Sequence, residues 1–146
     1  MRPSEQVALK WSAVDDQFIH IELSLVRNLE KADLKTAASN RRIDIRASMK
    51  KVLETQRAQM ASFQSPYVFL NVEGRPILQN KLQELWMRAM KKSGLPYRRM
   101  YETRHTFASW ALAVGESPEW VARTLGHTTT AMIYKICGRY IPNLTR

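Results

Sequence analysis

Cysteine occurs once in these 146 residues, at Cys137, so no internal disulfide can form. Long apolar runs are missing as well; none approaches the ~20 residues that a membrane-spanning helix needs. The opening Met1-Arg2-Pro3-Ser4-Glu5 has no apolar core of the kind an export signal carries. Together these absences lead to the expectation of a protein of the reducing cytoplasm with no membrane partner. Repeats and low-complexity tracts are absent too, which excludes solenoid and fibrous architectures. His105, His127 and Cys137 do not follow a common zinc-ligand spacing, so no metal or other cofactor is expected. Acidic residues are the remaining shortage, with 13 Asp and Glu against 23 Lys and Arg, a net charge of +10.

What is present is an ordinary globular composition, 45% hydrophobic and 25% charged, in a chain of one-domain length. A domain of this size buries about two-thirds of its unfolded surface and needs no staple. The positive charge is uneven. Residues 1–73 hold 11 cations and 9 acids, whereas residues 74–146 hold 12 cations and 4 acids. An excess concentrated in one half points to a polyanion, with nucleic acid first, although a merely soluble basic protein fits the charge alone.

Periodicity predicts a mainly helical α+β domain with a small antiparallel sheet near its start. Pro3 to Trp11 reads as a short helix with Val7 and Trp11 on one face. Ile19, Ile21, Leu23 and Leu25 alternate with polar residues, as in a half-buried strand, and Arg42 to Ile45 resume that alternation. The polar stretch from Arg27 to Asn40 reads as the turn between them. A helix is predicted from Ala47 to about Ala61, then a short apolar strand at Tyr67–Leu70. The next helix carries Leu82, Leu85, Trp86 and Ala89 and stops at Gly94 and Pro96. Thr103 to Val114 reads as helical with Phe107, Trp110, Ala111 and Val114 inward. Ser117-Pro118-Glu119 opens a helix that ends at Gly126, and Thr128 or Thr129 caps a last one running toward Tyr140.

Four separated segments carry the chemistry. The first is Met1-Arg2-Pro3-Ser4-Glu5, an arginine opening a helix. The second is Lys35-Thr36, just before Arg41-Arg42-Ile43-Asp44-Ile45. The third is Tyr101-Glu102-Thr103-Arg104-His105-Thr106-Phe107-Ala108, and the fourth Leu125-Gly126-His127-Thr128-Thr129. In this order they resemble the tyrosine recombinases (phage integrases): two arginine boxes, a β-hairpin lysine and a Leu-Gly-His turn. The resemblance runs over essentially the whole chain.

It implies a DNA breaking-and-rejoining fold and site-specific cleavage of double-stranded DNA through a 3′-phosphotyrosyl intermediate, without metal. Arg2 and Arg104 would hold the phosphate through their planar, permanently charged forks. Lys35 would be the general acid for the leaving 5′ oxygen. His127 would donate a hydrogen bond or assist proton transfer, and Tyr101, standing where the family usually has histidine, would bond the phosphate through its hydroxyl. His105 reads as a structural support for Arg104. Plainer readings stand beside these: an exposed terminal Arg2, a generic phosphate contact at Lys35, a solvated Arg104 and a helix-ending cap at His127.

The departure that matters lies ten residues past His127. The family's nucleophilic tyrosine belongs there, and this chain has Cys137. Tyr134, one turn earlier, reads as facing the core beside Ile133, and Tyr140 as packing. A thiol is shorter than a phenol, and misplacement by about 1 Å can cost ~10²-fold in rate, so cleavage is expected to be impaired. The alternative is a non-enzymatic basic remnant that only binds DNA. The resemblance further implies a single catalytic domain, 1–146, truncated at its N-terminus, because relatives carry helices and a DNA-clamping domain before the first arginine. It implies self-association on DNA in the full-length protein and a location at the bacterial nucleoid.

Overall fold

The computed structural model describes residues 1–26, 29–31 and 40–137. In chain order the elements are α1 (Pro3–Val7), a 3₁₀ turn (Trp11–Ala13), β1 (Phe18–Ile21), β2 (Ser24–Val26), β3 (Leu29–Lys31) and β4 (Arg41–Asp44). The helices α2 (Ala47–Gln59), α3 (Gln79–Ser93), α4 (Glu102–Ala113), α5 (Pro118–Leu125) and α6 (Ala131–Cys137) follow. The result is the expected helical α+β domain. Its strands form two small antiparallel sheets rather than one, β1 with β4 and β2 with β3. No helix among the described residues is long and apolar enough to cross a membrane.

Two expected elements are shorter than the sequence pattern. The helix from Pro3 ends at Val7, because the chain then turns extended so that Lys10 can bridge Tyr67 and the Leu9 carbonyl can accept the Val68 amide at 2.8 Å. Val7 and Trp11 therefore join different clusters: Val7 packs with Ala8, Leu25 and Ile77, and Trp11 with Leu9, Ile19, Ile21 and Val68. The alternating run Ile19–Leu25 is likewise cut in two, each half pairing with its own partner. Tyr67–Leu70 contributes isolated bridges, not a strand, though Val68 is fully buried.

Part of the predicted turn is a strand. Leu29–Lys31 pairs with β2 in the register Ser24↔Lys31 and Leu25↔Glu30. All three of its residues are exposed, so no alternation marks them in the sequence. Glu30 ties this strand to the body, pairing with Lys10 at 2.8 Å and accepting from the Tyr67 hydroxyl.

The inward face of α4 is the expected one only at Ala111. Trp110 and Val114 are 72% and 80% exposed and Phe107 is 39% exposed, whereas Arg104, Ala108, Ala111 and Leu112 are buried. Both sets satisfy helical spacing. The large side chains favour the first in the sequence; in the fold, burial of the Arg104 guanidinium selects the second. Ala108, Ala111 and Leu112 then pack on Val121, Ala122 and Leu125 of α5 and on Ile133 of α6. Tyr134, next to Ile133, is exposed rather than in the core, since neighbouring helical residues point about 100° apart.

Helix ends set the geometry that the site uses. Ser117 caps α5, its hydroxyl accepting the Trp120 amide at 3.1 Å. Ser117→Ala should lower stability by about 1 kcal/mol, read as a melting temperature about 3 °C lower. An unchanged melting temperature would show that the cap contributes nothing. α6 begins after Thr130, whose carbonyl accepts the Tyr134 amide, so Thr128 and Thr129 lie too early in the chain to flank it.

Candidate active site

α5 ends at Gly126, which adopts φ 70°, a left-handed conformation that costs other residues energy. The His127 amide turns back to the Ala122 carbonyl at 2.9 Å, so the backbone of His127 does serve as the helix cap. This closure leaves the last carbonyls of α5 without partners within the helix. Three arginines from three distant segments take them in sequence. Arg41 Nε donates to the Thr124 carbonyl at 2.8 Å, Arg104 Nη2 to Leu125 at 2.6 Å, and Arg2 Nη2 to Gly126 at 2.9 Å. A helix C-terminus is the negative end of its dipole, which suits cations there.

Glu5 lies behind them, almost fully buried at 2% exposure. Its carboxylate accepts both Arg41 Nη1 and Nη2, at 3.1 and 2.9 Å, the two-pronged geometry that a guanidinium favours. It also accepts the Arg2 backbone amide at 2.6 Å and Arg2 Nη1 at 2.8 Å. Burial on its own would raise the Glu5 pKa. The hydrogen bonds from Arg41 and from the Arg2 backbone, with the charge of Arg41, outweigh it and hold Glu5 at about 2. One carboxylate thus faces three guanidiniums, and the cluster keeps an excess of positive charge.

Two buried polar atoms have no hydrogen-bond partner among the described residues: Arg104 Nη1 and His127 Nδ1. Leaving such atoms unpaired costs about 1–3 kcal/mol each, more for a charged group, so they require an explanation. Both residues line a cleft of about 260 Å³ with Tyr101, His105, Ala108 and Ile133. An adjoining cleft of about 290 Å³ is lined by Arg2, Tyr101, Gly126, His127, Thr128 and Thr129. The Tyr101 ring stands 5.5 Å from the Arg104 guanidinium and edge-on to His105 at 5.6 Å. Burial lowers the His127 pKa below its ordinary value, with the nearby Arg104 and Arg2 adding to the effect, so its imidazole is neutral at pH 7. Chemically, this is a half-buried pocket with a spare guanidinium N–H donor, an unpartnered imidazole nitrogen, net positive charge and no acid among its lining residues: a place for an oxyanion.

The family is decided by comparison with known proteins. The family model of the phage integrases matches residues 1–137. The chain belongs to the phage integrase family. It is similar to the IntQ protein of Escherichia coli strain K12, 24% identical over 168 residues, covering 97% of this chain and 42% of that protein. It is also similar to the prophage integrase IntR of the same strain, 42% identical over 59 residues, 40% of this chain and 14% of that one. Among solved structures, the Tn1549 transposon integrase in complex with circular intermediate DNA shares the fold at a TM-score of 0.85 and 20% identity. That likeness covers 99% of this chain and 52% of the other. The chain spans less than half the length of the curated relatives that it matches.

Of the residues singled out in the sequence, Arg2, Tyr101, Arg104 and His127 are brought to one pair of clefts although they span positions 2 to 127. Lys35 lies outside the described residues. Cys137 is the last residue of α6, with its side chain outside them, and Tyr140 lies beyond. Sequence reasoning missed Glu5 and Arg41 as parts of the site. Glu5 had a signal, an acid three residues after Arg2 in the first helical turn, placed to accept that residue's own amide. Arg41 had none, since one buried arginine in a stretch holding Lys31, Lys35 and Arg42 looks like any solvated cation.

Proposed function

We propose that this chain is the catalytic domain of a site-specific recombinase whose substrate is a phosphodiester of double-stranded DNA. The observation that carries the reading is the pair of orphaned nitrogens, the Arg104 Nη1 donor and His127 Nδ1, which donates in the tautomer that carries its proton there, buried beside an excess of guanidinium charge. A non-bridging phosphate oxygen would satisfy both needs. In this reading Arg2 and Arg104 hold the phosphate, and Tyr101 and His127 bond its oxygens. Lys35 protonates the departing 5′ oxygen as a tyrosyl oxygen attacks phosphorus and a 3′-phosphotyrosyl bond forms. Attack by a 5′ hydroxyl reverses the step and rejoins the strand. Cys137 occupies the nucleophile position, so this chain binds DNA but is impaired in cleavage. The full-length protein self-associates on its DNA at the bacterial nucleoid.

Removing a preorganised donor of this kind typically costs about 10²–10³ in rate. In a chain given a tyrosine at position 137, Arg104→Ala should therefore reduce covalent DNA capture by about that factor, compared at a temperature where both chains are folded, because loss of its bond to the Leu125 carbonyl also lowers stability. Capture insensitive to Arg104→Ala would place the chemistry elsewhere. A second reading, a DNA-binding remnant without catalysis, is favoured by Cys137 itself. It predicts salt-sensitive DNA binding that no substitution at position 137 converts into an adduct.

A further inference from the structure

We infer that Lys91, Lys92, Arg98 and Arg99 form a second phosphate-contacting strip, outside the candidate active site, which grips the same duplex. The inference rests on the reading of DNA as the substrate. Between Glu84 and Glu102 the chain has five cations and no acid. Arg88 is paired with Glu84, as is Lys81 at 2.8 Å. The other four are exposed and make no ion pair with any described residue. Upstream on the same helix both cations share the carboxylate of Glu84; here no acid is at hand.

The four are also held together. Lys91 and Lys92 occupy the last turn of α3, where cations suit the dipole. Gly94, at φ 68°, reverses the chain, and the return leg is fastened to the helix by the Trp86 indole N–H, which donates to the Arg98 carbonyl at 2.7 Å. Exposed Tyr97 lies between them, with a hydroxyl of the type that contacts phosphates. Two turn bonds, Glu102 N–H to Arg99 O at 2.9 Å and Thr103 N–H to Met100 O at 3.1 Å, then carry the chain into α4. Arg99 is five residues before Arg104, so their Cα atoms lie within about 17 Å even if the link were fully extended. Duplex DNA presents one charge per ~1.7 Å of axis. A duplex with one phosphate at Arg104 therefore carries others at the range that separates Arg99 from it, and the strip offers them four open cations.

The test is the salt dependence of binding of the chain to a mixed-sequence duplex, followed by fluorescence anisotropy between 50 and 200 mM salt, a range in which phosphate neutralisation dominates. Replacing all four by alanine should lower the slope of log K against log salt by about 0.9 for each phosphate no longer neutralised, so by about 2 to 4. None of these side chains supports the core, and the Trp86 bond uses the Arg98 backbone, so melting behaviour should be unchanged. A matched pair separates location from net charge. Lys91→Ala with Lys92→Ala should reduce the slope, whereas Lys50→Ala with Lys51→Ala should not, since Lys50 lies beside Asp15, Asp16 and Glu54. Equal reductions from the two pairs, or an unchanged slope in the fourfold variant, would overturn the strip while leaving the Arg104 site standing. Wild-type chain that binds no duplex at 50 mM salt would overturn both.

Discussion

Cys137→Tyr should convert a chain that captures no DNA into one that does. The readout is a nicked suicide duplex mixed with protein and resolved on a denaturing gel, where a 3′-phosphotyrosyl adduct runs as a retarded band. The parent should give no such band, because a thiol at the end of α6 is shorter than the phenol by a full ring, and about 1 Å of misplacement already costs ~10²-fold. The restored adduct should form without magnesium, because in the proposed reading Arg2 and Arg104 would supply the charge that a metal would otherwise provide. It should disappear with Arg104→Ala. An adduct in the parent that vanishes with Tyr134→Phe would move the nucleophile one turn back along α6, a position the exposure of Tyr134 leaves accessible. No adduct from Cys137→Tyr, with duplex binding intact, would favour the non-enzymatic reading.

Glu5→Gln should be the most destabilising single change in the site. Glu5 and Arg41 are 1% and 3% exposed at their side chains and 2.9 Å apart. Breaking such a pair leaves a buried guanidinium uncompensated, at about 3–5 kcal/mol, against the roughly 5–15 kcal/mol that a whole domain has. At about 3 °C per kcal/mol the melting temperature falls by about 10 °C or more. The pH dependence follows from the sign of the shift. Glu5 is held at about 2 in the fold, below its ordinary 4.5, so its contribution is complete above pH 4.5 and is lost as pH falls toward 2. The gap between wild type and Glu5→Gln should therefore be widest near neutral pH and close in acid. A gap that stays constant down to pH 2 would mean that Glu5 acts through shape, not charge.

What was legible in the sequence were the features whose cause is local. Ser117-Pro118 and Gly126 mark the two ends of α5 because capping chemistry is decided within four residues. Arg2, Arg104 and His127 were legible because each sits in a short motif of a known family. What failed were choices made by distant partners. The inward face of α4 depends on where Arg104 must go, and two apolar stripes fitted the spacing equally well. The strand Leu29–Lys31 is fixed by pairing with β2 and by Glu30 with Lys10, neither visible as a hydrophobic period. Arg41 shows the same limit most clearly. Its role depends on Glu5, 36 residues before it, and on the Thr124 carbonyl, 83 residues after it. No local pattern distinguishes it from Arg42 beside it.

The central claim is that Arg2, Arg104 and His127 form one oxyanion site, and the most direct test is NMR titration of the chain with inorganic phosphate. Only three histidines are present, so each imidazole can be followed separately. Without an anion, burial and the neighbouring arginines keep His127 below its ordinary pKa. A bound phosphate brings negative charge beside it and should raise that pKa. The account predicts an upward shift at His127, with the arginine Nε–H signals of Arg2 and Arg104 moving in step and His20, which lines neither of the two clefts and is paired with Asp15, unmoved. The shift should be absent in Arg104→Ala. A His127 pKa indifferent to phosphate, or a response that persists undiminished in Arg104→Ala, would contradict it.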